Sequence, residues 1–395
     1  MQSAHLREHN LSAILTAVAA AAATASPVSR AGLATRTRLT KPTVSKLVEE
    51  LMGAALVEEG APISAGAGRP MVPLTPARGT LLAIGLEIAA DHVACLGIDL
   101  AGEVLSQHVE YLKVTSASAG EAIDLAATLV GRVRAEAGGL PVVEVVVAVP
   151  GRIAVVDGRV LSAPNLGWTE VPLVGRLQAH PELAGLPVRA QNDNRLSVLT
   201  EIDHRPGESF IYLRGSTGIG GAVVLEGALL AGANGWAGEF GHTTIEPGGA
   251  LCRCGRRGCL EAYVSYHALR ERAGLSDDIL IDDLVDALAL TRDRAEVIGM
   301  IGRSLGIAIA NALNVLDMTT VVLSGYLAPI ADELAPVIRE TVERHALAAE
   351  AGPVLIERSD GFSDPALRGA ARAALQPVFN APSAWIDRVP PTPAR

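Results

Sequence analysis

One histidine and three cysteines stand close together in this chain: His242, nine residues, then Cys252, Cys254 and Cys259. Three of the four cysteines therefore fall within eight positions. Thiolate and imidazole are the donors a tetrahedral zinc ion takes, and three thiolates with one imidazole fill all four positions. Such a set leaves no place for an activated water, so the metal it implies is a structural clip. Two carboxylates flank it, Glu239 in the run Gly238–His242 and Glu261 two residues after Cys259. Isolated, each reads as a surface residue. A clip beside them would fix backbone that is otherwise loop.

Two further groups of residues have the types to bind a ligand. Asn192 and Asp193 follow the apolar run Leu186–Ala190 and precede the helical stretch Arg195–Glu201. A pair of this kind is either a helix cap or a hydrogen-bonding site. The turn Gly215–Gly221 holds four glycines. It is either a plain hairpin or a cradle of backbone N–H groups for an anion.

The elements that carry these residues are legible in outline. Strand patterns run over 81–87, 92–98 and 103–111, and a similar plan recurs over 209–230. After each set, helical stretches alternate with apolar strands such as 142–149 and 319–323. A β-meander followed by α/β units, occurring twice, predicts a duplicated α/β body with a ligand cleft between its lobes. At 395 residues the chain is too long for one ordinary core, and its 49% hydrophobic content supports large ones. Clustered cysteines fit a reducing compartment. The apolar stretch 11–27 is too short to span a membrane and leads into another patterned helix. It reads as a packed helix of a soluble, cytoplasmic protein.

Charge is divided unevenly. The net charge is −10, yet residues 1–78 hold 8 Lys and Arg against 5 Asp and Glu, while the remainder holds 25 against 38. This excludes a chain coated in nucleic acid and suits a basic head on an acidic body. Within the head, residues 29–35 read as a capped helix, residues 36–40 as a turn and residues 41–52 as a second helix. Val44, Leu47, Val48 and Leu51 fall on one face of that second helix, and Pro42 is tolerated only in its first turn. Lys41, Thr43, Ser45 and Lys46 then face outward, where short donors and lysines reach base edges and phosphates. The Gly66–Pro70 stretch looks like a wing whose Arg69 enters a minor groove. With Arg30 and Arg38, these residues form the candidate DNA-contacting set; a three-helix bundle with a solvated charged face would carry the same pattern.

Taken together, Pro150-Gly151, Ala163–Asn165, Asn192-Asp193, Ser216–Gly221, Gly238–His242 and the Cys252–Glu261 run resemble the ROK family. That family comprises sugar-responsive transcriptional repressors and sugar kinases on an actin-like fold related to ribonuclease H. The resemblance covers nearly the whole chain, and the head marks the repressor branch. It implies a winged helix-turn-helix over 1–78, a first lobe over 79–200, a second lobe with the zinc site over 201–378 and a C-terminal helix returning to the first lobe. Residues 379–395, rich in proline, read as a disordered tail. It further implies a sugar held by Asn165, Asn192, Asp193, Glu239, His242 and Glu261. Hydroxyls both donate and accept, which suits carboxylates and amides. The implied partners are operator DNA, a monosaccharide or derivative as effector, and further copies of the chain in a homodimer or homotetramer, with no membrane.

In the family's kinases the aspartate at position 193 is the base that deprotonates the attacking hydroxyl. Those kinases carry Asp-x-Gly-Gly-Thr after the first strand, where this chain has Glu87-Ile88-Ala89-Ala90-Asp91. Alanine replaces both glycines, and Asp91 puts negative charge where a polyphosphate would lie. Ser324-Gly325 stands where the kinases have a glycine pair. The expectation is a sugar-sensing repressor and not an enzyme, with an ATP-dependent sugar kinase bearing a DNA-binding head as the alternative.

Overall fold

The computed structural model describes residues 2–63, 70–114, 117–276, 279–281, 283–347, 352–359, 361, 364–386 and 388. The chain forms two compact units: Met1–Val149 with Pro172–Gln191 and Leu367–Arg395, and Pro150–Val171 with Asn192–Ala366.

The first unit begins with the head. Helix Gln2–Ala23 buries Leu11, Ile14, Leu15 and Val18 completely, so this apolar stretch is a packed core helix. Ser29 caps helix Arg30–Thr37 by accepting from the Gly32 amide, and Arg38 ends it in a left-handed conformation. Thr40 caps helix Lys41–Gly53 by accepting from the Thr43 amide, with Val44, Leu47, Val48 and Leu51 buried. Strands Val57–Glu59 and Leu74–Pro76 pair antiparallel, and an Ile63–Met71 bridge extends the hairpin. Residues 64–69, including Arg69, lie outside the described residues.

The same unit contains a five-stranded sheet in the order Val188–Asn192, Val142–Val149, Leu82–Ile88, His92–Ile98, Val104–Tyr111. Its first three strands in sequence form an antiparallel meander, and the fourth returns parallel to the first. Both middle strands are runs of β-branched and aliphatic residues, as a sheet covered on both faces requires.

The second unit repeats that plan. Its sheet runs Ala228–Leu229, Ile219–Leu225, Phe210–Gly215, Thr320–Gly325, Leu355–Arg358, again a meander followed by parallel strands. Identical strand order in two sheets gives the duplicated actin-like architecture. Helix Arg294–Leu316 is the only one among the described residues long and apolar enough to cross a membrane, but 61% of its most apolar window is buried inside the fold. It packs against helix Ala331–His345.

Two expectations need correction. The lobe boundary at residue 200 does not match the units, because residues 150–171 and 192 onward belong to the second unit. Nor is the whole segment from 379 a loose tail. Helix Gln376–Asn380 and turn Pro382–Trp385 are formed, and Trp385 is 6% exposed. Ser383 donates its amide and hydroxyl to Glu8 of the first helix. A partner at the other end of the sequence overrides the proline-rich composition. Residues 387 and 389–395 lie outside the described residues.

Candidate functional site

All six residues of the expected sugar set lie in the second unit. Glu239 opens the short turn Phe240–His242, and His242 closes it. The cysteine loop is shaped by backbone hydrogen bonds from Cys252 to the Arg256 carbonyl (2.8 Å) and from Gly255 to the Cys252 carbonyl (2.9 Å). Gly258 has φ +77°, and a Cβ there would overlap the Glu246 carbonyl, so only glycine fits. Leu260 donates to the Thr243 carbonyl at 3.0 Å, joining the histidine arm to the cysteine arm.

The donor atoms of His242, Cys252, Cys254 and Cys259 lie within 4.8 Å of one another. The Cys254 and Cys259 sulfurs are 3.7 Å apart, and the Cys252 sulfur is 3.9 Å from His242 Nδ1. Four ligands about 2.3 Å from a tetrahedral ion would be separated by about 3.8 Å. The cluster can hold a metal ion. His242 Nε2 lies 4.0 Å from a Glu239 carboxylate oxygen. Burial raises the Glu239 carboxyl, partly offset by His242.

Glu261 begins helix Glu261–Val264 and is buried. One of its oxygens accepts from the Ile219 amide at 3.1 Å, and the other stands 3.8 Å from the Cys252 sulfur. Ile219 lies in the hairpin that joins Phe210–Gly215 to Ile219–Leu225. A Cβ on Gly218 would overlap the Glu261 carboxylate and come within 2.7 Å of Asn165 Nδ2; one on Gly220 would overlap the Asn194 amide. Both glycines are required by the side chains packed over them, whether or not an anion binds the turn.

Asp193 starts helix Asp193–His204 and is 6% exposed. Burial raises its carboxyl above the ordinary range; the Arg214 guanidinium opposes this and the Glu261 charge adds to it. Asn194 Nδ2 donates to Asp193 at 2.9 Å. Asn192 also caps this helix. Its side-chain oxygen accepts from the Asn194 and Arg195 amides (2.9 and 3.1 Å), and its Nδ2 donates to the Gly151 carbonyl at 3.1 Å. Asn192 is the cap of the helix that Asp193 begins, and one of its two Nδ2 hydrogens is left for a ligand.

Sequence reasoning missed Asn194, Arg214 and Trp236. Trp236 donates to the Ile153 carbonyl at 3.2 Å and stacks under Arg152, three residues before Glu239. An isolated tryptophan in a glycine-rich loop was the available signal. Arg214, a lone cation ending an apolar strand, was another.

In the first unit, turn 89–91 contains no residue of positive φ. Asp91 bonds to His92 Nδ1 at 2.8 Å, and Glu87 lies 4.0 Å from His92 Nε2. The hydrogen bond from His92 lowers the Asp91 carboxyl. In the head, Arg38, Lys41 and Lys46 are exposed while Thr43 and Ser45 are half-buried. Arg30 pairs with Glu59 at 2.9 Å and donates to Met52 Sδ at 3.5 Å.

Comparison with known proteins places this geometry. The ROK family model matches residues 83–376. A xylose repressor of Bacillus spizizenii is 30% identical over 306 residues, covering 75% of this chain and 78% of the relative. A glucokinase of Halalkalibacterium halodurans is 33% identical over 224 residues, covering 50% of this chain and 66% of the relative. The crystal structure of a ROK family transcriptional regulator, a homologue of the E. coli MLC protein, superposes with a TM-score of 0.76 at 23% identity, covering 97% of this chain and 99% of that one. With the family model spanning most of the chain and the duplicated sheets carrying its motifs, this protein belongs to the ROK family.

Proposed function

We propose that this protein is a sugar-responsive DNA-binding repressor in which a structural zinc ion holds the carboxylates that read the sugar. The observation that carries this reading is the grouping of Asn165 and Glu261 on one glycine hairpin, with Glu261 in contact with a His/Cys cluster of tetrahedral spacing. Cys252, Cys254, Cys259 and His242 hold the ion. It supplies no reacting group; it fixes the turn bearing Glu239 and the helix bearing Glu261. Asn165, Asp193, Glu239, His242 Nε2 and Glu261 then meet the sugar, with Asn192 positioning Asp193. A buried hydroxyl-reading group left unpaired costs about 1–3 kcal/mol, which supplies selectivity.

The head supports operator binding through Arg38, Lys41, Thr43, Ser45, Lys46 and Arg69, in a homo-oligomer that spans two half-sites. Sugar moves the DNA-binding equilibrium only by its differential affinity for two states of the protein. The repressor name of the Bacillus spizizenii relative agrees with this reading.

A sugar kinase is the competing reading, favoured by the glucokinase relative and the retained Asp193. Against it, turn 87–91 presents Glu87 and Asp91 around His92, and the glycines of the second turn are explained by packing. Calorimetry of zinc-loaded protein against a panel of monosaccharides, run beside a coupled ADP-release assay, separates the two. Sugar binding without turnover is expected. Sugar-dependent ADP release at about 1–100 per second would overturn the repressor-only reading.

A further inference from the structure

Arg214 ends strand Phe210–Gly215 with its side chain only 12% exposed. Its Nη1 lies 3.4 Å from the Asp193 carboxylate. Its stem passes the backbone of Gly325: a Cβ built there would stand 3.3 Å from Arg214 Cγ. Ser324 beside it turns its hydroxyl into the core, where it accepts from Tyr212 at 2.9 Å. The Arg214 stem therefore runs past Gly325 and brings its guanidinium to the buried carboxylate. Four polar groups bear on Asp193: Arg214 from the strand, Asn194 from its own helix and, at longer range, Glu261 from helix Glu261–Val264 and Glu239 before the turn Phe240–His242.

One consequence follows from elementary electrostatics. A carboxylate buried beside another carboxylate tends to take up a proton, and a cation at this distance resists that.

We propose that Arg214 is a positioning residue that fixes the Asp193 carboxylate as an oriented acceptor for a sugar hydroxyl. The sugar-binding half of this inference rests on the function proposed above; the pairing itself does not.

The test has one arm without sugar. Melting temperatures of wild type, Arg214→Leu, Arg214→Lys, Asp193→Asn and the Arg214→Leu/Asp193→Asn double variant are measured from pH 5 to 8. Without its partner, Asp193 prefers the protonated form in the folded state, so stability is lost as pH rises through its folded value. Arg214→Leu should therefore fall further below wild type at pH 8 than at pH 5, Arg214→Lys should recover much of the difference, and the double variant should lose the pH dependence. A deficit that is the same at every pH, and unchanged by Asp193→Asn, would reduce Arg214 to packing and overturn the proposal.

The second arm titrates D-xylose and D-glucose. For whichever binds wild type, Arg214→Leu should weaken binding about tenfold at pH 7 and recover as pH rises. Full-strength, pH-independent binding to Arg214→Leu would overturn the positioning role. If neither sugar nor any other monosaccharide binds wild type while the first arm holds, the sugar-site reading fails and the pairing stands.

Discussion

One oxygen of the Glu261 carboxylate stands 3.8 Å from the sulfur of Cys252. A group expected to read a ligand thus touches a member of the metal cluster, while its other oxygen is held by the Ile219 amide. Removing the metal should therefore disturb ligand binding as well as folding. Chelation, or Cys254→Ser, is expected to lower the melting temperature and to cost about 1–3 kcal/mol of effector binding. Thermal melts with and without zinc, paired with calorimetry, check this; full effector affinity in metal-free protein would detach the clip from the site.

Thiol labelling gives an independent reading of the same cluster. Cys95 is fully buried, and burial pushes its thiol well above the ordinary value. Native metal-free protein should take up alkylating reagent first at Cys254, the half-buried member of the cluster, with the buried Cys252, Cys259 and Cys95 protected, and zinc-loaded protein at none of the four. Peptide mass spectrometry identifies the labelled positions.

Gly220→Ala should be damaging although no anion is involved. The added methyl group would overlap the Asn194 amide, which bonds to Asp193. Overpacking of this kind costs about 1–3 kcal/mol. Denaturant unfolding measures that loss, and effector binding should fall with it. An unaltered variant would mean the hairpin is looser than described.

Asp193→Ala should abolish the sugar response, removing about 1.5–3 kcal/mol of effector binding, and leave operator affinity unchanged. A mobility-shift titration with and without sugar reads both. Because burial raises the Asp193 carboxyl, its contribution to stability is complete below the unfolded value near 3.9 and is lost as pH rises through the folded value. The melting temperature of wild type relative to Asp193→Asn should therefore improve as pH is lowered.

Lys46→Ala should weaken operator binding and make the salt dependence shallower by about one unit of slope. An unchanged slope would move Lys46 off the phosphate backbone. Arg30→Ala, by contrast, should act mainly on stability, since its guanidinium is engaged with Glu59 and Met52.

Local pattern made much of this readable. Strands His92–Ile98 and Val142–Val149 have the expected bounds because their aliphatic runs end abruptly at turn residues. Helix Lys41–Gly53 starts where Thr40 and Pro42 indicate and ends one residue late. The His/Cys cluster was legible because its donors are close in sequence. Partners distant in sequence were not. Nothing near Arg30 marks Glu59 as its counter-ion, nothing near Ser383 points to Glu8, and nothing near Asn192 points to the Gly151 carbonyl that accepts from it. The unit boundary was hidden for the same reason, since the chain leaves the first unit at Pro150 and again at Asn192.

The bonds between Ser383 and Glu8 make the head something other than a detachable module. Helix Gln2–Ala23 contacts both the strand Leu74–Pro76 and the turn Pro382–Trp385, so this turn from far along the chain braces its first helix. A fragment cut after residue 78 would leave one side of that helix bare. For the same reason, a reporter fused close behind Trp385 would press on the N-terminal head, although nearly the whole sequence separates the two.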